Sequence, residues 1–206
     1  MAIIVVLLLI AILIFGPGLW VRRVLERYSA PEDRYSGTGA QLARHLLNKH
    51  GLESVAVERT AEGDHYDPQD KAVRLTEDKF GGRSLTAITV AAHECGHALQ
   101  HAGEEPLFIW RSRLAGAGVW AARIGSFLLF AAPLLGLLAR APSPALFSVL
   151  GGFLVMGFGV VVQLVTLPVE LDASFRKALP LLEAGYLDEQ QVPAARRILR
   201  AAAWTY

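Results

Sequence analysis

The chain has 206 residues, of which 53% are hydrophobic and 19% are charged, with 20 Lys and Arg against 19 Asp and Glu. Soluble domains are typically about 45–50% apolar and about 25% charged, so this composition excludes a disordered chain and argues against an ordinary cytosolic protein. The net charge of +1 gives no global reason to expect a nucleic-acid partner, and the single cysteine excludes an internal disulfide.

Three apolar runs predict three transmembrane helices. They cover residues 2–21, residues 124–139 after a mostly apolar stretch at 114–122, and residues 145–167. A helix needs about 20 apolar residues to cross a bilayer. The first run lacks a preceding basic segment and a small-x-small cleavage site, so an uncleaved anchor is favoured over a signal peptide. Arg123 borders the second run and is expected near the headgroups, with a buried partner for a carboxylate as the alternative.

The placement of basic residues sets the predicted orientation, because Lys and Arg are enriched on the cytoplasmic side. They follow the first run, precede the second and follow the third: Arg22, Arg23, Arg27, Arg34, Arg111, Arg113, Arg176 and Lys177. After a transmembrane anchor at 1–21, the polar segments 22–113 and 168–206 are therefore expected in the cytoplasm, with a membrane hairpin at 114–167 between them. We expect a multi-pass protein of the inner (plasma) membrane.

The first polar segment predicts a small domain of helices and strands. A leucine-lined helix over 40–50 ends at Gly51, where a left-handed residue can stop it. Residues 54–59 and 71–76 alternate apolar and polar side chains as half-buried strands do, and a turn-rich stretch at 64–70 separates them. This pattern predicts a small antiparallel sheet.

Helix start and stop signals complete the predicted elements. Ser84 can cap a helix that runs to about His101. In the second polar segment, Pro168 suits the start of a helix that Gly185 ends, and another helix runs from about Pro193 to the chain end. The predicted fold class is a mainly α integral membrane protein with a small antiparallel β-sheet.

The helix after Ser84 contains an HExxH pattern, in which His93 and His97 frame Glu94. Histidines four residues apart lie on one helix face, so both imidazoles can reach one tetrahedral Zn²⁺ at about 2.0–2.1 Å. Zinc lowers the pKa of a bound water toward about 7, and Glu94 lies where it can accept that water's proton as general base. The alternative is a histidine pair that binds no metal.

A catalytic zinc normally takes three protein ligands and keeps one position open. Glu170, which follows the third apolar run, is the best candidate for the third ligand, although a carboxylate there could simply be solvated. His65 stays a weaker candidate. His101 is disfavoured, because three successive helical turns cannot easily converge on one ion. Asp172 is two residues from Glu170, so on a helix it should point elsewhere.

These segments resemble the YugP-type membrane zinc metallopeptidases, a gluzincin-like family distantly similar to the HtpX-like proteases. The resemblance spans nearly the whole chain and is carried by residues 64–68, 93–100, 164–174 and 201–206. It implies a gluzincin-like core in which one Zn²⁺ is held by His93, His97 and Glu170. Ser174 stands where the family has an aspartate, and is expected to hydrogen-bond a ligand from outside the metal shell.

The resemblance implies a zinc-dependent endopeptidase that hydrolyses peptide bonds with a zinc-activated water, with segments 22–113 and 168–206 completing a cytoplasmic active site. His65 and Tyr66 are candidates for the substrate rim, and the strand around Val73 for pairing with an extended substrate. The expected partners are a peptide or protein substrate and membrane lipid, with an oligomer or membrane-protein partner left open. Members of the family usually continue into a further apolar segment. The alternative function is a non-catalytic, metal-binding membrane scaffold or adaptor.

Overall fold

The structure is a computed structural model, and it describes residues 2–31 and 35–204. Three residues used in the sequence predictions, Arg34, Thr205 and Tyr206, lie outside these ranges. The described chain is mainly helical, with one small sheet. In chain order its elements are α1 (Ala2–Arg27), α2 (Gly39–Lys49), β1 (Ala56–Arg59), β2 (His65–Asp67), β3 (Ala72–Leu75), α3 (Glu77–Phe80), α4 (Leu85–Ala102), α5 (Pro106–Ala139), α6 (Pro142–Asp172), a π-helical segment (Ala173–Ala178), α7 (Leu179–Glu183) and α8 (Val192–Ala203).

The chain divides into two compact units. The first comprises Met1–Glu105 and Glu170–Tyr206, and the second comprises Pro106–Val169. The HExxH helix and Glu170 both belong to the first unit, although Glu170 lies 73 residues after His97 and Asp172 lies 72 residues after Gln100. The candidate site is therefore described entirely within that unit.

Local capping explains where the helices of the first unit begin and end. The Thr38 hydroxyl accepts a hydrogen bond from the Gln41 N–H, and the Gln41 side chain accepts one from the Thr38 N–H, which forms a capping box. α2 ends before Gly51, whose φ is +73°. Ser84 caps α4, because its hydroxyl accepts from the Ala87 N–H at 3.1 Å. Both predicted helices are thus confirmed.

The sheet is mixed, so the antiparallel prediction is wrong for one of its two strand pairs. β3 lies in the centre, parallel to β1 and antiparallel to β2, which forms within the stretch expected to be only a turn. The Asp67 carboxylate accepts from the N–H groups of Gln69 and Asp70, and Lys71 has a φ of +50°, so a tight hairpin joins β2 to β3. Both edges of β3 are paired, and the strand around Val73 has no free edge for a substrate.

α4 forms the centre of the first unit. Its side chains are buried almost throughout, and it packs against α2, the π-helical segment and α8. Cys95 is one of the buried residues, as expected, and its Sγ lies 3.6 Å from the Ala43 carbonyl oxygen, to which it donates. Burial raises the pKa of the Cys95 thiol, which disfavours the reactive thiolate form.

Two helices of the described chain are long and apolar enough to cross a membrane. They are Pro106–Ala139 and the continuous helix Pro142–Glu183. Large apolar side chains on them are exposed, with Phe130 at 86% and Leu154 at 80%, as expected for surfaces that face lipid. The structure thus supports two of the three predicted spans, while the span on α1 stays a prediction.

The prediction that Pro168 begins a separate helix is wrong. α6 continues through Pro168 to Asp172, and helical backbone then runs on through the π-helical segment and α7. A proline inside a helix removes one N–H donor but does not by itself end the helix, because neighbouring groups can satisfy the freed carbonyl. Gly185, with a φ of +120°, follows the end of α7 as predicted, and α8 lies close to its predicted position.

Candidate metal centre

Three buried side chains converge between α4 and the last residues of α6. The Glu170 Oε2 atom lies 3.2 Å from the Nε2 atom of His93 and 3.2 Å from the Nε2 atom of His97. The centres of the two imidazole rings are 4.8 Å apart. One ligand atom from each residue lies within 4.8 Å of the other two. Of the candidate ligands proposed from the sequence, the structure brings these three together.

The spacing of these atoms fits a zinc ion. In a tetrahedral site with bonds of about 2.0–2.1 Å, neighbouring ligand atoms are about 3.3 Å apart. The two Nε2 to Oε2 separations of 3.2 Å match that edge length. Imidazole nitrogen and carboxylate oxygen are both ligands that zinc accepts. Within residues 2–31 and 35–204 the group comprises three residues, the number typical of a catalytic rather than a structural zinc site.

The outer nitrogen of His93 is held by Ser174. The Ser174 hydroxyl has a single hydrogen, which it donates to the Leu199 carbonyl oxygen at 3.2 Å. At 3.1 Å from His93, the same oxygen therefore accepts from the Nδ1–H of the imidazole. With Nδ1 used in this way, the Nε2 atom of His93 faces Glu170 and is the nitrogen left to bind a metal. The structure thus places the Ser174 hydroxyl against the His93 imidazole.

His97 is held by a different partner, Gln100. The Gln100 Oε1 atom lies 2.9 Å from His97 Nδ1, and its Nε2 group donates to Asp172 Oδ2 at 2.9 Å. Sequence analysis missed Gln100, although its position three residues after His97 places it on the same helix face. Asp172 is absent from the metal-ligand group, as expected, but it reaches His97 through the Gln100 amide.

Burial and the neighbouring imidazoles shift the pKa of the Glu170 carboxyl in opposite directions. Glu170 lies just after the apolar run at 145–167. Burial alone would raise its pKa, because it disfavours the charged form. The neighbouring His97 and His93 outweigh that effect and hold the pKa of Glu170 well below its usual range. Glu170 is therefore a carboxylate at neutral pH, the form that binds a cation.

A close approach of two backbones sets the position of the segment that follows Glu170. A Cβ atom added to Gly96 would lie 2.7 Å from the carbonyl oxygen of Ala173 and 3.3 Å from its Cα. Ala173 opens the π-helical segment, a rare geometry that often occurs at functional sites. Only glycine at position 96 lets α4 approach this segment so closely.

We expect Gly96→Ala to lower the stability of the metal-free protein by about 1–3 kcal/mol and to weaken zinc binding. The added methyl group would push Ala173 away, and this steric effect exceeds the gain of about 1 kcal/mol from the higher helix propensity of alanine. Thermal unfolding and zinc titration of the full-length protein measure both effects. Gly116→Ala is the matched control, because a Cβ there meets no described atom within 4 Å; equal behaviour of the two variants would contradict the close approach.

The remaining predicted site residues lie on α4 and β2. Glu94 is buried on α4, directly after His93. Tyr66 lies on β2, and its hydroxyl is 2.9 Å from His101 Nδ1, while burial raises the pKa of Tyr66 to about 12. His65 donates from Nδ1 to the Gly63 carbonyl oxygen at 2.8 Å and is absent from the three-residue group, as is His101.

Comparison with known proteins covers nearly the whole length of the chain. Residues 3–206 match the model of a protein family described as "Putative neutral zinc metallopeptidase". The chain is also 36% identical, over 189 residues, to a protein of Bacillus subtilis (strain 168) named "Putative membrane protease YugP". That alignment covers 90% of this chain and 80% of the Bacillus protein. No solved structure gives a significant match.

Proposed function

Because the chain belongs to the YugP-type family of neutral zinc metallopeptidases, we propose that it is a membrane-embedded endopeptidase that hydrolyses peptide bonds with one zinc ion. The observation that supports this proposal is the buried convergence of His93, His97 and Glu170, three ligand atoms within 4.8 Å of one another. The two apolar helices α5 and α6 support the membrane location.

In this proposal His93, His97 and Glu170 hold the zinc ion. Bound zinc supplies a Lewis acid that polarises the substrate carbonyl and makes water acidic enough to react near neutral pH. Ser174 and Gln100 accept the Nδ1–H groups of the two imidazoles, so both Nε2 lone pairs are directed inward. The Glu170 carboxylate contributes the negative charge that two neutral imidazoles lack.

Glu94 is the proposed general base. It takes a proton from the attacking water and later delivers that proton to the amine that leaves, which balances the hydrolysis. Glu94 is 5% exposed and directly follows His93 in the sequence. Glutamate is a residue type that can serve as a general base, and Glu94 directly follows a proposed zinc ligand on the buried helix α4, which supports this assignment.

The substrate is proposed to lie along the edge strand β2. Since β3 is paired on both sides, β1 and β2 are the edge strands of the sheet in the described residues. β2 carries His65 and Tyr66, and Tyr66 is linked to His101 one turn beyond His97 on α4. An extended peptide can pair with such an edge through its backbone. This arrangement replaces the strand around Val73 as the substrate-binding strand.

The cellular location follows from the same proposal. We place the protein in the inner membrane with several spans and with the active site on the cytoplasmic side, where the basic residues are predicted to lie. Its partners are then a peptide or protein substrate and the surrounding lipid. The gluzincin-like core and the first span on α1 belong to this proposal as well.

We expect the purified full-length protein to contain one zinc ion per chain and to cleave an unfolded reporter protein. A zinc chelator should abolish cleavage, and added zinc should restore it, because the proposed chemistry depends on the ion. Elemental analysis and gel-based cleavage assays measure the two effects. Cleavage that persists in metal-free protein would contradict the proposal, and stoichiometric zinc without cleavage would favour the scaffold alternative.

A further inference from the structure

We infer that Gln100 and Asp172 are positioning residues of the proposed zinc centre. Gln100 orients the imidazole of His97 and, through Asp172, ties that imidazole to the helix that carries Glu170. This inference rests on the proposed function, because it concerns the same three metal ligands.

The orientation of the Gln100 amide follows from its two partners. A carboxylate can only accept hydrogen bonds, so Asp172 Oδ2, at 2.9 Å, fixes the NH₂ end of the amide. The Oε1 atom is thereby directed to His97 Nδ1, also at 2.9 Å. Since that oxygen can only accept, His97 carries a proton on Nδ1, and Nε2, which faces Glu170, is the nitrogen left to bind zinc. The carboxylate of Asp172 thus sets the tautomer of His97 through an intervening amide.

Because Gln100 is buried, both ends of its side-chain amide need hydrogen-bond partners within the protein. The Gln100 residue is 1% exposed, so a flipped or unpaired amide could not be compensated by bulk water. Buried amides of this kind are retained in proteins when both ends are satisfied. The structure pairs both ends of Gln100 with groups of the proposed metal centre, and this is the observation on which the inference depends.

Asp172 is in turn anchored by basic residues of the π-helical segment. Lys177 Nζ lies 3.6 Å from Asp172 Oδ2 and 2.6 Å from Glu105 Oε1, and Arg176 Nη1 lies 3.9 Å from Asp172 Oδ1. The Asp172 side chain is partly exposed, at 21%, so the network runs from a buried imidazole to the surface. Neighbouring cations hold the carboxylate that orients the amide.

The network also fixes the distance between two ligand-bearing helices. Asp172 lies two residues after Glu170, and Gln100 lies three residues after His97. A single amide therefore joins α4 to α6 beside the point where both supply metal ligands. Loss of the amide should loosen the orientation of His97 and the position of Glu170 together. Outer partners of this kind typically change metal affinity by about 10–100-fold when removed.

The experiment measures the zinc affinity of the full-length protein in detergent by competition with a chelator. Gln100→Met keeps the length of the side chain and removes both hydrogen bonds, and we expect zinc affinity to fall by about 10–100-fold. Gln191→Met is the matched control. Gln191 is also a buried glutamine of the first unit, but its Nε2 group donates to the Tyr35 hydroxyl at 2.6 Å. Both variants should lower the unfolding temperature of the metal-free protein similarly, whereas only Gln100→Met should weaken zinc binding.

If Gln100→Met does not fold, two variants of Asp172 test the positioning role instead. Asp172 is partly exposed, so its replacement should disturb folding less. Asp172→Asn keeps an oxygen acceptor for the Gln100 amide but not the carboxylate, so we expect it to weaken zinc binding less than Asp172→Leu does. Asp172→Leu removes the acceptor and should weaken zinc binding. In zinc-loaded samples, the ¹⁵N chemical shifts of labelled histidine should show His97 bound through Nε2 and protonated on Nδ1 in the unmodified protein, and a mixture of states in Asp172→Leu.

His97→Ala separates failure of this inference from failure of the proposed function. If His97→Ala loses zinc while Gln100→Met and Asp172→Leu bind it as the unmodified protein does, the positioning role is overturned and the metal site stands. If His97→Ala binds zinc with unchanged affinity, the proposed function is overturned and the inference falls with it.

Discussion

Glu94→Gln is expected to lower kcat/KM for a peptide substrate by about 10²–10⁴-fold while leaving one zinc ion per chain. Glutamine has nearly the same volume as glutamate, so the buried position on α4 remains filled. Its amide cannot take a proton from water at neutral pH, and general-base assistance is therefore lost. Steady-state cleavage kinetics, together with elemental analysis of the same sample, measure the two effects.

Glu104→Gln is the matched control for this substitution. Glu104 is an exposed glutamate just beyond the end of α4, and its replacement should leave both zinc content and cleavage unchanged. Retained cleavage by metal-replete Glu94→Gln would remove Glu94 from the role of general base. Loss of zinc in that variant would instead assign Glu94 a part in metal binding.

Glu170→Ala is expected to eliminate stoichiometric zinc binding and, with it, all zinc-dependent cleavage. The substitution removes the carboxylate that lies 3.2 Å from both Nε2 atoms and leaves two neutral imidazoles to hold a dication in a buried site. Zinc titration and elemental analysis of the purified variant measure the loss. His93 and His97 alone should then bind zinc only weakly.

Glu183→Ala provides the comparison for Glu170→Ala. Glu183 ends α7, on the same run of helical backbone, but its side chain is 39% exposed and pairs with Arg196 at 3.1 Å. An exposed ion pair of this kind contributes little to stability, so Glu183→Ala should bind zinc normally. Zinc binding by Glu170→Ala with the affinity of Glu183→Ala would exclude Glu170 as a ligand.

Local sequence rules predicted the elements that depend on nearby residues. The caps at Ser84 and Gly51 and the spacing of apolar side chains located α4 and α2 correctly, because these signals act within one or two turns. The HExxH pattern placed His93 and His97 on one face of α4 for the same reason. The apolar runs likewise located α5 and α6.

Features that depend on tertiary contacts were not predicted. The parallel pairing of β1 with β3 requires β2 to form the hairpin with β3, and the three residues of β2 carry too short a pattern to identify a strand. Pro168 was a misleading start signal, because the cost of a proline inside a helix can be offset by the surrounding structure and the helix runs on through it. In both cases contacts with distant parts of the chain, rather than the local sequence, decided the secondary structure.

The residues of the candidate site also divide into those that local patterns predicted and those that depend on distant contacts. Glu170 was selected because it follows an apolar run and matches a family motif, and the structure places it beside both imidazoles. Gln100 lies on the predicted helix face, but its partner Asp172 is 72 residues away, so no local pattern could join them. The close approach of Gly96 to Ala173 is also a contact between distant segments.

An experimental structure of the zinc-loaded protein tests the three-ligand site most directly. We predict one zinc ion bound by the Nε2 atoms of His93 and His97 and by a Glu170 carboxylate oxygen, each at about 2.0–2.2 Å. A zinc ion bound to the two histidines with the Glu170 oxygens beyond bonding distance, or a zinc ion bound elsewhere on the chain, would contradict this site.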